Sequence, residues 1–137
     1  MDTLKVKTIH EITFAAAEQL LQFGLKEATK KDLKLSIAIV DRAGQLIAFA
    51  RMDGASIVTV DVAIGKAKTG AYLQAPSKVF EDFINNGAPS MATTPGILPL
   101  QGGVPIIYNN EVIGAVGVSG STGDSDNEMA TNIAKAF

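Results

Sequence analysis

The stretch LKLSIAIVDRAGQLIAFARMD, residues 33–53, decides the fold. Leu35–Val40 and Gln45–Met52 are two apolar runs of strand length. Between them stands Asp41-Arg42-Ala43-Gly44, with Asp first and Gly fourth, as a type I turn prefers. The reading is a β-hairpin, and a hairpin argues for antiparallel pairing rather than a parallel dinucleotide-binding sheet. Alternation along the second strand puts Ile47, Phe49, Arg51 and Asp53 on one face, if the strand runs regularly to its end. Arg51 and Asp53 then stand where an apolar strand gives way to the next helix.

Upstream of the hairpin, Thr8 and Glu11 form a T-x-x-E capping box at the start of a helical period of apolar residues, Ile9, Ile12, Ala16, Leu20 and Phe23. Gly24 is expected to end or kink that helix. Beyond the hairpin, Ser56 is the expected cap of a helix over Ile57–Leu73. Its small residues Ala63, Ala67, Gly70 and Ala71 would let it lie close to a neighbour. Pro76-Ser77 opens a shorter helix to about Asn86, and NNGAPSMATTPG reads as a loop. Two further strands, GVPIIY and EVIGAVGVS, are joined by Asn109-Asn110, which tolerate positive φ. Pro105 suggests an edge strand, and the continuously apolar Val112–Val118 a central one. Ser125 and Glu128 form a second capping box before the last helix. The pattern predicts a single α+β domain over residues 1–137, with a mainly antiparallel sheet of about five strands flanked by helices on both sides.

The chain has 137 residues, 47% hydrophobic and 19% charged, with a formal charge of −2. That charge offers no basic face for nucleic acid. The low charged fraction, against roughly 25% in an average domain, favours surface buried in a homo-oligomer. There is no cysteine, which removes disulfides, thiolate nucleophiles and cysteine-held metal sites. The N-terminal MDTLKVKTIHEITF lacks the apolar core and cleavage site of a leader. The apolar runs are too short and broken to cross a bilayer. The expectation is a soluble cytoplasmic protein with no membrane or nucleic-acid partner.

Several motifs carry chemistry only on first sight. GAVGVSGSTGD sits between a strand and a helix, yet it fits neither phosphate-loop pattern, and Asp124, Asp126 and Glu128 would repel phosphate. DSDNE has Met129 and Lys135 where a calcium loop needs Gly and Glu. GVSG is not a nucleophile elbow. Three places remain. His10 is the only histidine; it is expected in the first helical turn, one turn before Phe14. A lone histidine is a poor metal site but suffices for haem, whose porphyrin supplies the other ligands; the plainer alternative is a half-exposed residue at a helix start. Arg51 suits a carboxylate and shares its face with Asp53. Lys66 lies mid-helix among small residues. The plainer alternative for these charges is a structural Arg51–Asp53 bridge and a solvated lysine.

The ordered blocks IAIVDRAGQLIAFARMDGA, AIGKAKTGAY, PLQGGVPIIYNNEVIGAVGVSG and DNEMA resemble the GlcG/HbpS-like family of haem-binding and haem-degradation-associated proteins. That family is related to the C-terminal domain of PduO-type corrinoid adenosyltransferases. The resemblance runs from Thr8 to the C-terminal helix. It implies a profilin-like sandwich, a higher homo-oligomer and a pocket at Arg51, Met52, Asp53 and Gly54; Lys66 and Thr69; Gly102, Gly103 and Pro105. It also makes His10 a candidate axial ligand of haem.

Three functional readings stand side by side. The first is a cytoplasmic small-molecule-binding protein whose ligand is haem or a related tetrapyrrole, with Arg51 and Lys66 neutralising propionates and His10 offering an axial nitrogen. The second is an accessory metabolic enzyme acting on a small carboxylate or enol, held by Arg51, with Asp53 or Lys66 moving protons. The third is a non-catalytic oligomeric accessory subunit.

Overall fold

A computed structural model describes residues 5–137; the first four residues of the N-terminal stretch read for a leader lie outside it. The elements in chain order are α1 (Phe14–Lys30), β1 (Ser36–Asp41), β2 (Leu46–Arg51), α2 (Val58–Leu73), α3 (Lys78–Asn85), a 3-10 turn (Pro89–Thr93), β3 (Gly103–Tyr108), β4 (Glu111–Ser119) and α4 (Gly123–Lys135). The four strands form one antiparallel sheet in the order β2-β1-β4-β3.

Both hairpins follow the turn chemistry of the sequence. The Gly44 N–H donates to the Asp41 carbonyl at 3.0 Å. Asn109 and Asn110 both take positive φ, 48° and 62°, as a type I′ hairpin turn requires. β4 is central, and β3, carrying Pro105, is an edge, where the missing N–H of proline is tolerated.

Four strands are present among the described residues, not about five. PGILPLQ, residues 95–101, is the remaining stretch that could add one. Pro95 and Pro99 bring no backbone donor, and the Leu98 N–H goes to the Thr69 hydroxyl.

The two faces of the sheet are packed differently. On one, α1 and α4 lie over large apolar side chains: Leu20, Ile37, Ile39, Val116, Val118, Met129 and Ile133 are buried together. Each such burial stabilises by roughly 1.5–3 kcal/mol. The other face is built from Ala38, Val40 and Ala115 against Ala63, Ala67 and Ala71 of α2. Here backbones nearly touch: a Cβ on Gly117 would fall onto the Ala63 carbonyl, and one on Gly103 onto the Lys66 carbonyl.

Helix starts depart from expectation. α1 begins at the Thr13 cap, whose hydroxyl accepts from the Ala16 N–H at 3.1 Å. Thr8 and Glu11 form no capping box, because the Glu11 carboxylate is engaged elsewhere. Gly24 neither ends nor kinks α1; it is buried where a Cβ would collide with Ile133 and Ile37. Ser56 provides no side-chain cap to α2. α4 is capped by Thr122, whose hydroxyl accepts from Ser125 N–H at 3.1 Å, so Ser125 lies inside the helix.

Candidate functional site

The segment preceding α1 has no regular secondary structure and reaches the start of β4. β1 ends at Asp41, opposite Gly114 of β4, which leaves the first residues of β4 uncovered on that side. Three hydrogen bonds, besides that of the His10 ring, tie residues 10–12 there. The Ile12 N–H donates to the Ile113 carbonyl at 3.2 Å. The Glu11 carboxylate accepts from the Arg42 N–H at 2.6 Å. The His10 N–H donates to Glu111 Oε2 at 2.6 Å. His10 therefore sits ahead of the helix, not in its first turn.

The His10 ring is half exposed, with Nδ1 3.1 Å from Glu111 Oε1. An ionised carboxylate only accepts, so Nδ1 is the donor, and in the neutral ring Nε2 carries the lone pair. The two hydrogen bonds from His10, that of the backbone first, hold the Glu111 carboxyl below its ordinary value. The ring meets Tyr108 edge-on at 5.2 Å between centroids, and Tyr108 meets Phe137 edge-on at 6.4 Å.

Two hollows adjoin at Phe137. One, of about 260 Å³, is lined by His10, Ile12, Ala16, Tyr108, Ile113 and Phe137 among others. The other, of about 370 Å³, is lined by Val104, Pro105, Ile107, Ala134, Lys135 and Phe137 among others. The walls are mainly apolar; the polar residues are His10, Glu11 and Thr13 in the first hollow and Thr131 and Lys135 in the second. Among the described residues, no three His, Cys, Asp or Glu side chains gather to hold a metal ion.

The residues singled out in the sequence divide into three groups. His10 and Pro105 line the hollows. Lys66, Thr69, Gly102 and Gly103 are buried away from His10, toward the open end of the β3–β4 hairpin, where Gly103 adjoins Val104 of the second hollow. Lys66 Nζ donates to the Val118 carbonyl at 2.9 Å and to Asp126 Oδ2 at 3.1 Å, with both side chains 4% exposed. It is not a solvated lysine. The Thr69 hydroxyl donates to the Gly65 carbonyl and accepts from Leu98 N–H, both at 2.8 Å. Gly102 has φ +122° and its carbonyl accepts from Val118 N–H, while Gly103 exchanges hydrogen bonds with Ser77.

Arg51 and Asp53 form the third group. β2 stops at Arg51, opposite Ser36, and Asp53 lies in the following turn, so the two do not continue one strand face. Both are exposed, and no ion pair joins them among the described residues. Ser36 in turn stands opposite Ser119, the far end of β4 from Glu111. At about 3.3 Å per residue that separation is about 25 Å along the strand alone, so one small ligand on a single subunit does not span His10 and Arg51. Sequence reasoning missed Tyr108, Glu111, Lys135 and Phe137. Glu111 carried one signal, an acidic residue opening an apolar strand directly after a tight turn.

Residues 12–135 match the family model described as haem degrading protein HbpS-like. The chain belongs to the HbpS-like family. It is 37% identical to the protein GlcG of Escherichia coli strain K12 over 116 residues, 85% of each chain. The structure superposes on a double mutant of Streptomyces reticuli HbpS with a TM-score of 0.88 at 29% identity, covering 97% of this chain and 91% of that one. The solved PduOC–haem complex shares the fold, with a TM-score of 0.83 at 22% identity over 93% of this chain and 95% of that one. The family resemblance read from the four sequence blocks is thus borne out. The matched span begins two residues after His10, so the case for His10 rests on the geometry just described. No helix of the described residues is long and apolar enough to cross a membrane.

Proposed function

We propose that the protein binds haem or a related tetrapyrrole in the paired hollows at the β3 edge, with His10 Nε2 as the axial donor. One observation carries the reading: the only histidine has Nδ1 tied to a carboxylate and, among the described residues, no hydrogen-bond partner on Nε2, beside a mainly apolar hollow walled by Tyr108 and Phe137. The residues fit the group. A single protein nitrogen suffices for iron already held by a porphyrin, the mainly apolar walls suit a macrocycle, and Lys135 offers a charge for a propionate. When bound, haem would supply a redox-active iron; the chain's own part is to bind, orient and shield. Tyr108, Ile113 and Phe137 would pack on the ring and keep water from it. Lys66 is consumed by Asp126 and Arg51 lies at the far end of the sheet, so neither is assigned to propionates in this reading.

The reading retains the homo-oligomer and the cytoplasmic location expected from the sequence. Ile107 and Tyr108 leave the β3 edge partly apolar, 49% and 41% exposed, which favours its being covered by another subunit. The test is a titration of purified protein with haemin. A saturable sharpened Soret band at about one haem per subunit or per subunit pair supports the reading. A featureless, non-saturating response sinks it.

A further inference from the structure

Both carboxylate oxygens of Glu111 are spent on one residue. Oε2 accepts from the His10 main-chain N–H at 2.6 Å and Oε1 lies 3.1 Å from the His10 ring Nδ1. The partners are 101 positions apart in sequence. Their meeting is set by three features of the fold. The Asn109-Asn110 turn puts Glu111 opposite Tyr108 in the first pair of the hairpin. The early end of β1 leaves room beside β4. The Ile12–Ile113 and Glu11–Arg42 hydrogen bonds fix the height of the incoming segment.

Fixing the peptide and the ring together is a stronger constraint than either bond alone. The hydrogen bond from the main-chain N–H fixes where the His10 Cα stands, and that from the ring fixes its rotation. Tyr108 then packs against the imidazole at an interplanar angle of 70° and limits the remaining swing. We propose that Glu111 is the positioning residue for His10: its carboxylate holds the ring as the Nδ1–H tautomer, which presents an oriented Nε2 lone pair to the adjoining hollow. This rests on the haem reading for its purpose, not for its geometry. A carboxylate behind a ligating imidazole also raises the basicity of the donor nitrogen, and losing such a partner typically weakens metal affinity about 10–100-fold.

The single histidine makes the test clean, because selective ¹⁵N-histidine labelling reports one ring. Ligand-free wild type, Glu111→Gln and Glu111→Ala would be compared by NMR at about pH 8.5, well above the ordinary imidazole range, and each then titrated with haemin. The expected result is an Nδ1–H ring in the wild type, retained in Glu111→Gln, whose amide oxygen still accepts. In Glu111→Ala the ring should revert to mainly Nε2–H and haemin affinity fall about 10–100-fold. An unchanged tautomer in Glu111→Ala overturns the proposal even if affinity drops, since a merely structural loss would do that. A changed tautomer with affinity within about threefold overturns it too, because the orientation then serves no ligand. If wild-type protein binds no haemin through His10, the functional reading fails, and the spectra of the ligand-free proteins still decide whether Glu111 sets the ring.

Discussion

Replacing Lys66 by methionine separates a structural lysine from a ligand-binding one. Lys66 Nζ holds the Val118 carbonyl and the Asp126 carboxylate at 2.9 and 3.1 Å, and both side chains of the ion pair are 4% exposed. Methionine keeps most of the apolar stem and removes the charge. Breaking a buried pair by deleting one partner costs about 3–5 kcal/mol, because the survivor is left charged and unpaired. Asp126 retains the Ser121 N–H at 2.9 Å, so the loss should lie near the lower figure, about 3 kcal/mol. For a domain of this size that is a fall in Tm of about 12 °C. Asp126→Asn added to Lys66→Met removes the stranded charge and keeps an acceptor for Ser121, so at least half the loss should return. Urea and thermal unfolding measure both variants. Haemin affinity, taken where both are folded, should match the wild type. A stability loss under about 1 kcal/mol, the range of solvent-screened pairs, would refute the burial of the pair. A large loss of haemin affinity in a stable Lys66→Met protein would return Lys66 to the ligand site.

Three further outcomes follow from other parts of the molecule. Gly117→Ala drives a methyl group against the Ala63 carbonyl and the Ala67 backbone; overpacking at so close a contact should cost about 3 kcal/mol, read as a lower urea midpoint with an unchanged m-value. The Glu111 carboxyl is held below its ordinary value by its bonds to His10, so its contribution is complete above the unfolded-state value and is lost as pH falls through the folded one. Hydrogen exchange at the His10 amide should accordingly stay slow through neutral and mildly acidic pH and lose protection only below the ordinary carboxylate range, and protection that is independent of pH would contradict that anchor. Lys135→Ala should weaken haemin binding up to about fivefold, the worth of an exposed charge pair, and flatten its salt dependence; an unchanged salt slope would remove Lys135 from propionate contact.

The sheet was legible because its signals are local. Turn residues at Asp41–Gly44 and Asn109-Asn110 pinned both hairpins, and the apolar run of β4 marked the central strand. Helix starts were less legible, since adjacent capping candidates satisfy the same short pattern. Thr8/Glu11 competed with Thr13, and Ser125/Glu128 with Thr122. At the first of these a tertiary bond decided, because Glu11 reaches the Arg42 N–H. The burial of Lys66 could have been read from the small residues at Ala63, Ala67 and Gly70, which place it on the packed face of α2. Its partner Asp126 could not, being sixty positions away. The same holds at the hollows, where His10 was visible as the only histidine but Glu111, Tyr108 and Phe137 reach it only through the fold.

The most direct test of the account is the ligation of haemin by His10. Stoichiometric complexes of wild type and His10→Ala would be compared by visible absorption and resonance Raman spectroscopy. An iron–imidazole signature is expected in the wild type and its loss in His10→Ala, with far-UV circular dichroism unchanged. Identical spectra from the two proteins would contradict ligation by His10.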